Sequence, residues 1–283
     1  MGESGTFGRG HEGGEKKITS FLASSCPSTV TSLDLALSYM PASAILGMLS
    51  RVPPLETLYL GQDNTEGSFP SSPRTNLDLP RLQCLHLSYP FRSCSFFSIL
   101  SKSTISLTSL HSHLACVQAL IGGQLSEVRN LFIWGDQDFP GSQDLPSHLA
   151  AVLEGCPSLK TLRLAIFHDV IGSTDDNELE GLQVLTHLPP TLDFLELVGV
   201  EFPPTYLVEH LNSGAPFPHT LQLSRFGSGL FPVVYDRAGE DKVEEACRNR
   251  NISVYWRGGR PVEDPKDTLT MAELIAMMAN FAE

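Results

Sequence analysis

One hexamer, Leu159-Lys160-Thr161-Leu162-Arg163-Leu164, returns with the same leucine pattern along most of the chain and decides its fold. Further copies of L-x-x-L-x-L, some with conservative replacements, occupy residues 30–35, 55–60, 82–87, 128–133 and 192–197. Residues 107–110 form a poorer copy, because Ser112 stands where the last leucine belongs. Residues 221–223 and 252–254 keep only the second half of the pattern. Similar hexamers at comparable steps indicate an internal repeat.

The hexamer has a simple physical meaning. Alternation along a strand places Leu162 and Leu164 on one face, and the first leucine enters the same core from the preceding turn. One such unit cannot bury its apolar face alone, so neighbouring units must stack. The steps between central leucines run from 21 residues, Leu110 to Leu131, to 33 residues, Leu162 to Leu195. They scatter around the roughly 20–29 residues of a leucine-rich repeat.

The segments between the copies have the marks of helices. Apolar residues precede proline, glycine or asparagine stops in segments 42–49, 148–153, 182–185, 206–211 and 242–250. A doubly wound sheet would also alternate strands and helices, but it would not repeat one hexamer at similar steps. The sequence therefore predicts an α/β fold, a right-handed leucine-rich-repeat horseshoe solenoid with parallel strands on the concave side and irregular helices on the convex side.

Both ends of the chain differ from the repeats. Residues 1–19 are glycine-rich and predict a disordered tail, residues 20–256 the solenoid, and residues 257–283 a linker and a C-terminal helix. One apolar stripe marks that helix, formed by Met271, Leu274, Ile275, Met278 and Phe281. A cap over the last repeat is the favoured interpretation, and a partner-binding helix is the alternative.

Composition restricts the partners and the compartment. The formal net charge of −13 disfavours binding to nucleic acid and to anionic membranes. The six cysteines are scattered without a C-x-x-C pair, which disfavours a zinc or redox motif. No signal peptide opens the sequence and no apolar run is long enough to span a bilayer. We expect a cytoplasmic or nuclear protein.

The motifs of catalysis are missing from the sequence. It has no G-x-S-x-G elbow, no Walker loop and no H-E-x-x-H. His111 and His113 share a strand face and could seed a metal site, but two exposed strand histidines are the favoured interpretation. We expect no enzyme, no cofactor and no metal. The alternatives are an enzyme on an α/β sheet, which would need His, acid and nucleophile residues converging in a pocket, and a structural fragment without a partner.

The residues beside the inward leucines predict a binding surface. They point outward onto the concave face and include Asp34, Thr57, Tyr59, His86, His111, Phe132, Trp134, Arg163, Phe194, Glu196, Gln222 and Tyr255. Aromatic residues and arginine dominate binding hot spots, because they bury much area at little entropic cost. The predicted partner-binding residues are Tyr59, His86, Phe132, Trp134, Arg163, Phe194, Glu196 and Tyr255. Arg163, beside Phe132, Trp134 and Phe194, is the expected centre.

Two units carry a resemblance to a known family. Residues 51–60 and 155–164, the latter with Cys156-Pro157 ahead of its hexamer, resemble the irregular repeats of fungal F-box proteins. The resemblance covers about residues 28–256. It implies an array that selects substrates for a cullin-type ubiquitin ligase, with an N-terminal F-box that docks a Skp-type adaptor. No L-P-x-E-type F-box precedes the first repeat, so we expect that adaptor only for a longer form.

Overall fold

A computed structural model describes residues 29–35, 42–60, 77–87, 96, 100, 105–117, 120, 124–135, 145–166, 185–199, 204–227 and 237–257. The predicted tail at residues 1–19 lies outside these residues. The predicted linker and C-terminal helix also lie outside them, apart from Arg257.

The described residues form nine strands and five helices. The strands are β1 (Ser32–Leu35), β2 (Thr57–Leu60), β3 (Cys84–Leu87), β4 (Ser109–His113), β5 (Asn130–Gly135), β6 (Thr161–Ile166), β7 (Phe194–Gly199), β8 (Thr220–Gly227) and β9 (Ser253–Arg257). The helices are α1 (Ala42–Leu49), α2 (Leu114–Val117), α3 (Leu145–Glu154), α4 (Pro204–Asn212) and α5 (Arg237–Asn249). Helices α1, α3, α4 and α5 confirm four of the predicted helical segments. Helix α2 was not predicted. Most of the fifth predicted segment, residues 182–185, lies outside the described residues.

All nine strands join one parallel sheet in the order of the sequence, β1 to β9. The sheet is not closed, and this architecture is compatible with a solenoid. The middle leucines of the hexamers pair in register from Leu33 on β1 to Leu221 on β8. Even the poor copy keeps this register, because Leu110 pairs with both Leu85 and Leu131.

The last strand departs from its predicted alignment. Residues 252–254 were expected to match residues 221–223, but Leu221 pairs with Val254, two residues further along. A shift by two leaves every side chain on the same face, since alternation has a period of two. Trp256 therefore takes the inward position opposite Leu223 and packs against the core.

The core lies against one face of the sheet. Leu159, Leu162 and Leu164 are buried, as are the corresponding leucines of the other clear copies. The same cluster takes in side chains from the helices, among them Leu49, Val152, Leu207 and Val243. The structure thus has two layers, with the helices on the leucine face of the sheet. We call the opposite face of the sheet the outward face.

Candidate functional site

One register position on the outward face supplies a side chain from every strand. On each strand this position stands, in sequence, between two residues that face inward. Together these side chains form the central row, which consists of Asp34, Tyr59, His86, His111, Phe132, Arg163, Glu196, Gln222 and Tyr255. Neighbouring strands of a sheet lie about 4.8 Å apart, so consecutive members of the row are within contact distance. The structure therefore gathers most of the predicted contact residues into one line across the sheet.

The first half of the central row is a stack of rings. The ring centroids of Tyr59 and His86 are 5.1 Å apart, those of His86 and His111 are 3.8 Å apart, and those of His111 and Phe132 are 4.0 Å apart. Tyr59, at the edge of this stack, is 41% exposed, whereas the other three rings are half-buried. Contacts between neighbouring rings therefore hold these side chains in defined positions.

The two histidines at the centre of this stack lie within hydrogen-bond distance of each other, with 3.0 Å between their Nδ1 atoms. Between two neutral rings, this hydrogen bond requires opposite tautomers, so that one Nδ1–H donates to the other Nδ1. Burial, with His86 and Arg163 adding to it, lowers the pKa of His111 to about 3. Burial also lowers the pKa of His86, against an opposing effect from Asp34. Both rings are therefore neutral near pH 7.

We expect His111 to make the protein less stable as the pH falls. The pKa of His111 is about 3 when folded, against the ordinary 6.5, so between these values the unfolded chain binds a proton that the folded chain does not. This contribution to stability is fully present above pH 6.5 and is lost towards pH 3, by at most about 1.4 kcal/mol per pH unit. The lowered pKa of His86 likewise makes the folded protein less stable as the pH falls.

Urea unfolding at several pH values tests this expectation. Between about pH 7 and about pH 5, the free energy of unfolding should fall more steeply for the wild type than for His111→Gln. His219→Gln, which replaces an exposed histidine just before β8, is the matched control and should follow the wild type. If the free energy of unfolding changes with pH in the same way for the wild type and for His111→Gln, the lowered pKa of His111 is contradicted.

The second half of the row is built around a buried carboxylate. The side chain of Glu196 is only 3% exposed and forms ion pairs with Arg163 and, at 2.8 Å between Oε1 and Nη1, with Arg257. Gln222 donates its Nε2–H to the same Oε1 at 3.2 Å. The guanidinium carbon of Arg163 lies 5.2 Å from the centroid of the Phe132 ring, which joins this cluster to the ring stack. A buried charge is tolerated only when it is paired in this way.

The predicted exposure of Trp134 was wrong. Trp134 is 3% exposed, its Nε1–H donates to the backbone oxygen of Leu87 at 3.4 Å, and its ring lies 4.6 Å from that of His113. It occupies an outward register position, but its neighbour on β6 is Ala165, whose small side chain leaves room for the indole ring. Trp134 therefore supports the sheet and presents no contact surface in this structure.

Other predicted positions are also corrected. Glu196 faces outward but is buried, and its carboxylate contacts Arg163 and Arg257 rather than solvent. His113 was expected to be exposed and is buried, and His111 is half-buried. Phe194 lies outside the central row, in register with Thr161 and Thr220, and is half-buried.

Arg257 is not among the partner-binding residues that the sequence predicts. It follows the predicted end of the solenoid at residue 256, and its partner Glu196 is 61 residues earlier. The alternation of Tyr255, Trp256 and Arg257 was the available signal, because it places Arg257 on the same face as Tyr255. The two-residue shift of β9 brings this arginine opposite Ser224 and within reach of the carboxylate.

Within the described part of the chain, no three His, Cys, Asp or Glu residues gather as metal ligands. None of the helices described is long and apolar enough to cross a membrane. No family model matches this chain, and no curated protein matches its sequence.

Proposed function

We propose that this chain is a leucine-rich-repeat solenoid that binds another protein with the outward face of its sheet, which would be the concave face of the horseshoe. The observation that carries the proposal is the central row, in which aromatic rings and an arginine form one continuous surface across neighbouring strands. Aromatic and arginine side chains supply most of the binding energy at protein interfaces. Solenoids bind their partners on such extended faces.

The order within the row strengthens this proposal. Each ring is held by its neighbours, so little side-chain freedom would be lost when a partner binds. Tyr59 and Tyr255, which is 57% exposed, stand on opposite sides of the half-buried centre. A half-buried aromatic centre with more exposed contacts around it matches the distribution of energy in protein interfaces.

The biological role that we propose rests on the resemblance to fungal F-box proteins. As in the fungal F-box proteins that residues 51–60 and 155–164 resemble, the array would select a substrate for a cullin-type ubiquitin ligase. A Skp-type adaptor would be a second partner of a longer form that carries an F-box. A cytoplasmic or nuclear location would suit this role, and the described cysteines are free thiols, as a reducing compartment requires.

Capture of partners from a cell lysate tests the proposed surface. Proteins retained by the wild-type chain should bind Phe132→Ala at least about 30-fold more weakly, because truncation of a hot-spot ring costs about 2 kcal/mol or more. Tyr59→Ala, at an exposed position where the cost in stability is small, should weaken the same interactions by a smaller factor.

Arg248→Ala is the control for this experiment, because Arg248 is exposed on α5, in the layer that covers the leucine face. It should retain the same proteins as the wild type. Unfolding curves must show that all variants are folded under the capture conditions. If Phe132→Ala and Tyr59→Ala both retain every partner, the outward face is not the interface.

A further inference from the structure

Asp34 is an exposed carboxylate at the β1 end of the central row. Among the described residues, no Lys or Arg forms an ion pair with it. The first arginine along the row is Arg163 on β6, five strands away. At about 4.8 Å per strand it lies about 24 Å along the sheet, well beyond the Debye length of about 8 Å at physiological salt. Arg163 therefore does not neutralise Asp34.

The ring of Tyr59 stands beside this carboxylate. Asp34 and Tyr59 are in register on β1 and β2, where side chains on one face of neighbouring strands are within contact distance. The ring is 41% exposed and packs on His86, with 5.1 Å between the centroids, so its position is defined. Asp34 also acts on the pKa of His86, which burial lowers and Asp34 raises in part. The carboxylate thus lies near both rings.

The other half of the central row shows what an aromatic ring and a carboxylate can hold together. There Arg163 pairs with Glu196, and its guanidinium carbon lies 5.2 Å from the centroid of the Phe132 ring. Asp34 and Tyr59 also place a carboxylate and a ring at neighbouring positions of the row. In the described part of the chain, no arginine completes this second arrangement.

A basic side chain from outside the chain fits the position beside Asp34 and Tyr59. The carboxylate offers an ion pair, and the negative face of the ring attracts a cation placed over it. A guanidinium group makes both contacts well, because it is planar, stacks on aromatic rings and donates two parallel hydrogen bonds to one carboxylate. The formal net charge of −13 also favours the approach of a basic segment.

These observations indicate the chemistry of the partner at the β1 end of the outward face. Resting on the proposed function, we propose that this end recognises an arginine of the bound protein, whose guanidinium group pairs with Asp34 and stacks on Tyr59. Residues next to that arginine in the partner would pack on the half-buried rings of the central row. Lysine would be bound less tightly, because its ammonium group is a point charge without a planar face.

Selection of peptides by the full chain tests this proposal. The probe is a display library of random linear peptides, selected at physiological salt on the wild type, Asp34→Asn and Asp241→Asn. Asp241→Asn removes the same formal charge from an exposed position on α5, in the layer that covers the leucine face, and is the matched control. Arginine should be enriched at one position of the peptides selected by the wild type and by Asp241→Asn. This enrichment should disappear with Asp34→Asn.

A double-mutant cycle on one selected peptide then locates the contact. Fluorescence anisotropy should show binding about 3- to 10-fold weaker for Asp34→Asn, which removes an ion pair at an exposed site. Replacing the peptide's arginine with citrulline should weaken binding about 3- to 30-fold, because it removes the ion pair and the attraction to the ring. The two changes together should cost little more than the citrulline change alone. Tyr59→Leu should weaken binding more than Tyr59→Phe, which keeps the ring.

Three outcomes would overturn the inference. An arginine preference that survives Asp34→Asn, or that Asp241→Asn also abolishes, would arise from the net charge of the chain rather than from this position. Selected peptides without enriched arginine would contradict recognition of a basic side chain. Equal affinities of Tyr59→Leu and Tyr59→Phe would contradict stacking on the ring. The lysate experiment with Phe132→Ala judges the proposed function separately, so the two failures can be told apart.

Discussion

Replacing Trp134 with alanine is expected to lower the free energy of unfolding by about 3–5 kcal/mol. The indole ring is almost fully buried, touches His113 and donates a hydrogen bond to the backbone of β3. Truncation would leave a cavity at the ends of the strands and a carbonyl of Leu87 without this donor. Urea or thermal unfolding measures the loss.

Two further variants separate these causes. Trp134→Phe keeps most of the ring but not the N–H donor, so its cost should be nearer about 1–3 kcal/mol. Tyr255→Ala removes an aromatic side chain that is 57% exposed and should change stability by no more than about 0.5 kcal/mol. If Trp134→Ala lowers stability as little as Tyr255→Ala does, the indole ring is exposed, as the outward position of Trp134 in the sequence pattern predicts.

Fluorescence provides a direct check on this burial. The chain has two tryptophans, so Trp256→Phe leaves Trp134 as the only indole emitter. In the folded chain its emission should be blue-shifted and only weakly quenched by acrylamide. In denaturant the emission should shift to the red and acrylamide should quench it readily. Red-shifted emission that acrylamide quenches readily would contradict the structure.

The second large effect is expected at Leu162, in the middle of the sheet. Leu162 is fully buried and lies in register between Leu131 and Leu195. Leu162→Ala should cost about 2–5 kcal/mol, because it removes buried methyl groups and leaves a cavity that the flanking strands cannot fill. The loss should spread beyond one unit, since each unit is stabilised by contacts with its neighbours.

Thr161→Ala is the matched control for Leu162. Thr161 precedes it on β6 but faces outward, so its truncation should stay within about 0.5 kcal/mol of the wild type. The midpoints of urea unfolding, measured for both variants, show whether Leu162→Ala loses much more stability than Thr161→Ala. Equal midpoints would mean that the leucines of the hexamer do not form the core, and the stacked arrangement of the units would then be wrong.

How far the site could be predicted differs from residue to residue. The outward positions of Tyr59, His86, Phe132 and Arg163 follow from alternation in the hexamer, which is a local property of an extended backbone. Contact between them also follows, because equivalent positions of stacked units become neighbours in the sheet. The sequence pattern was therefore sufficient to place these side chains in one row, but it predicted an exposed His111 rather than one packed between His86 and Phe132.

Depth of burial could not be predicted in the same way. Alternation assigns Trp134 and Glu196 to the outward face but does not say how much of each side chain solvent reaches. That depends on Ala165 beside the indole, and on Arg163 and Arg257 beside the carboxylate. Such neighbours belong to other strands, and one of them is 61 residues away along the chain.

The sequence by itself determined the repeat, the faces of the strands and the outward row that includes Tyr59, His86, Phe132 and Arg163, because each depends on spacing within one unit or on the similarity of successive units. Only the tertiary structure decided the register of β9, the burial of Trp134 and the sharing of Glu196 by two arginines. These features depend on how side chains of distant segments fit together. Packing and charge pairing act between neighbours in space, whatever their separation in the chain.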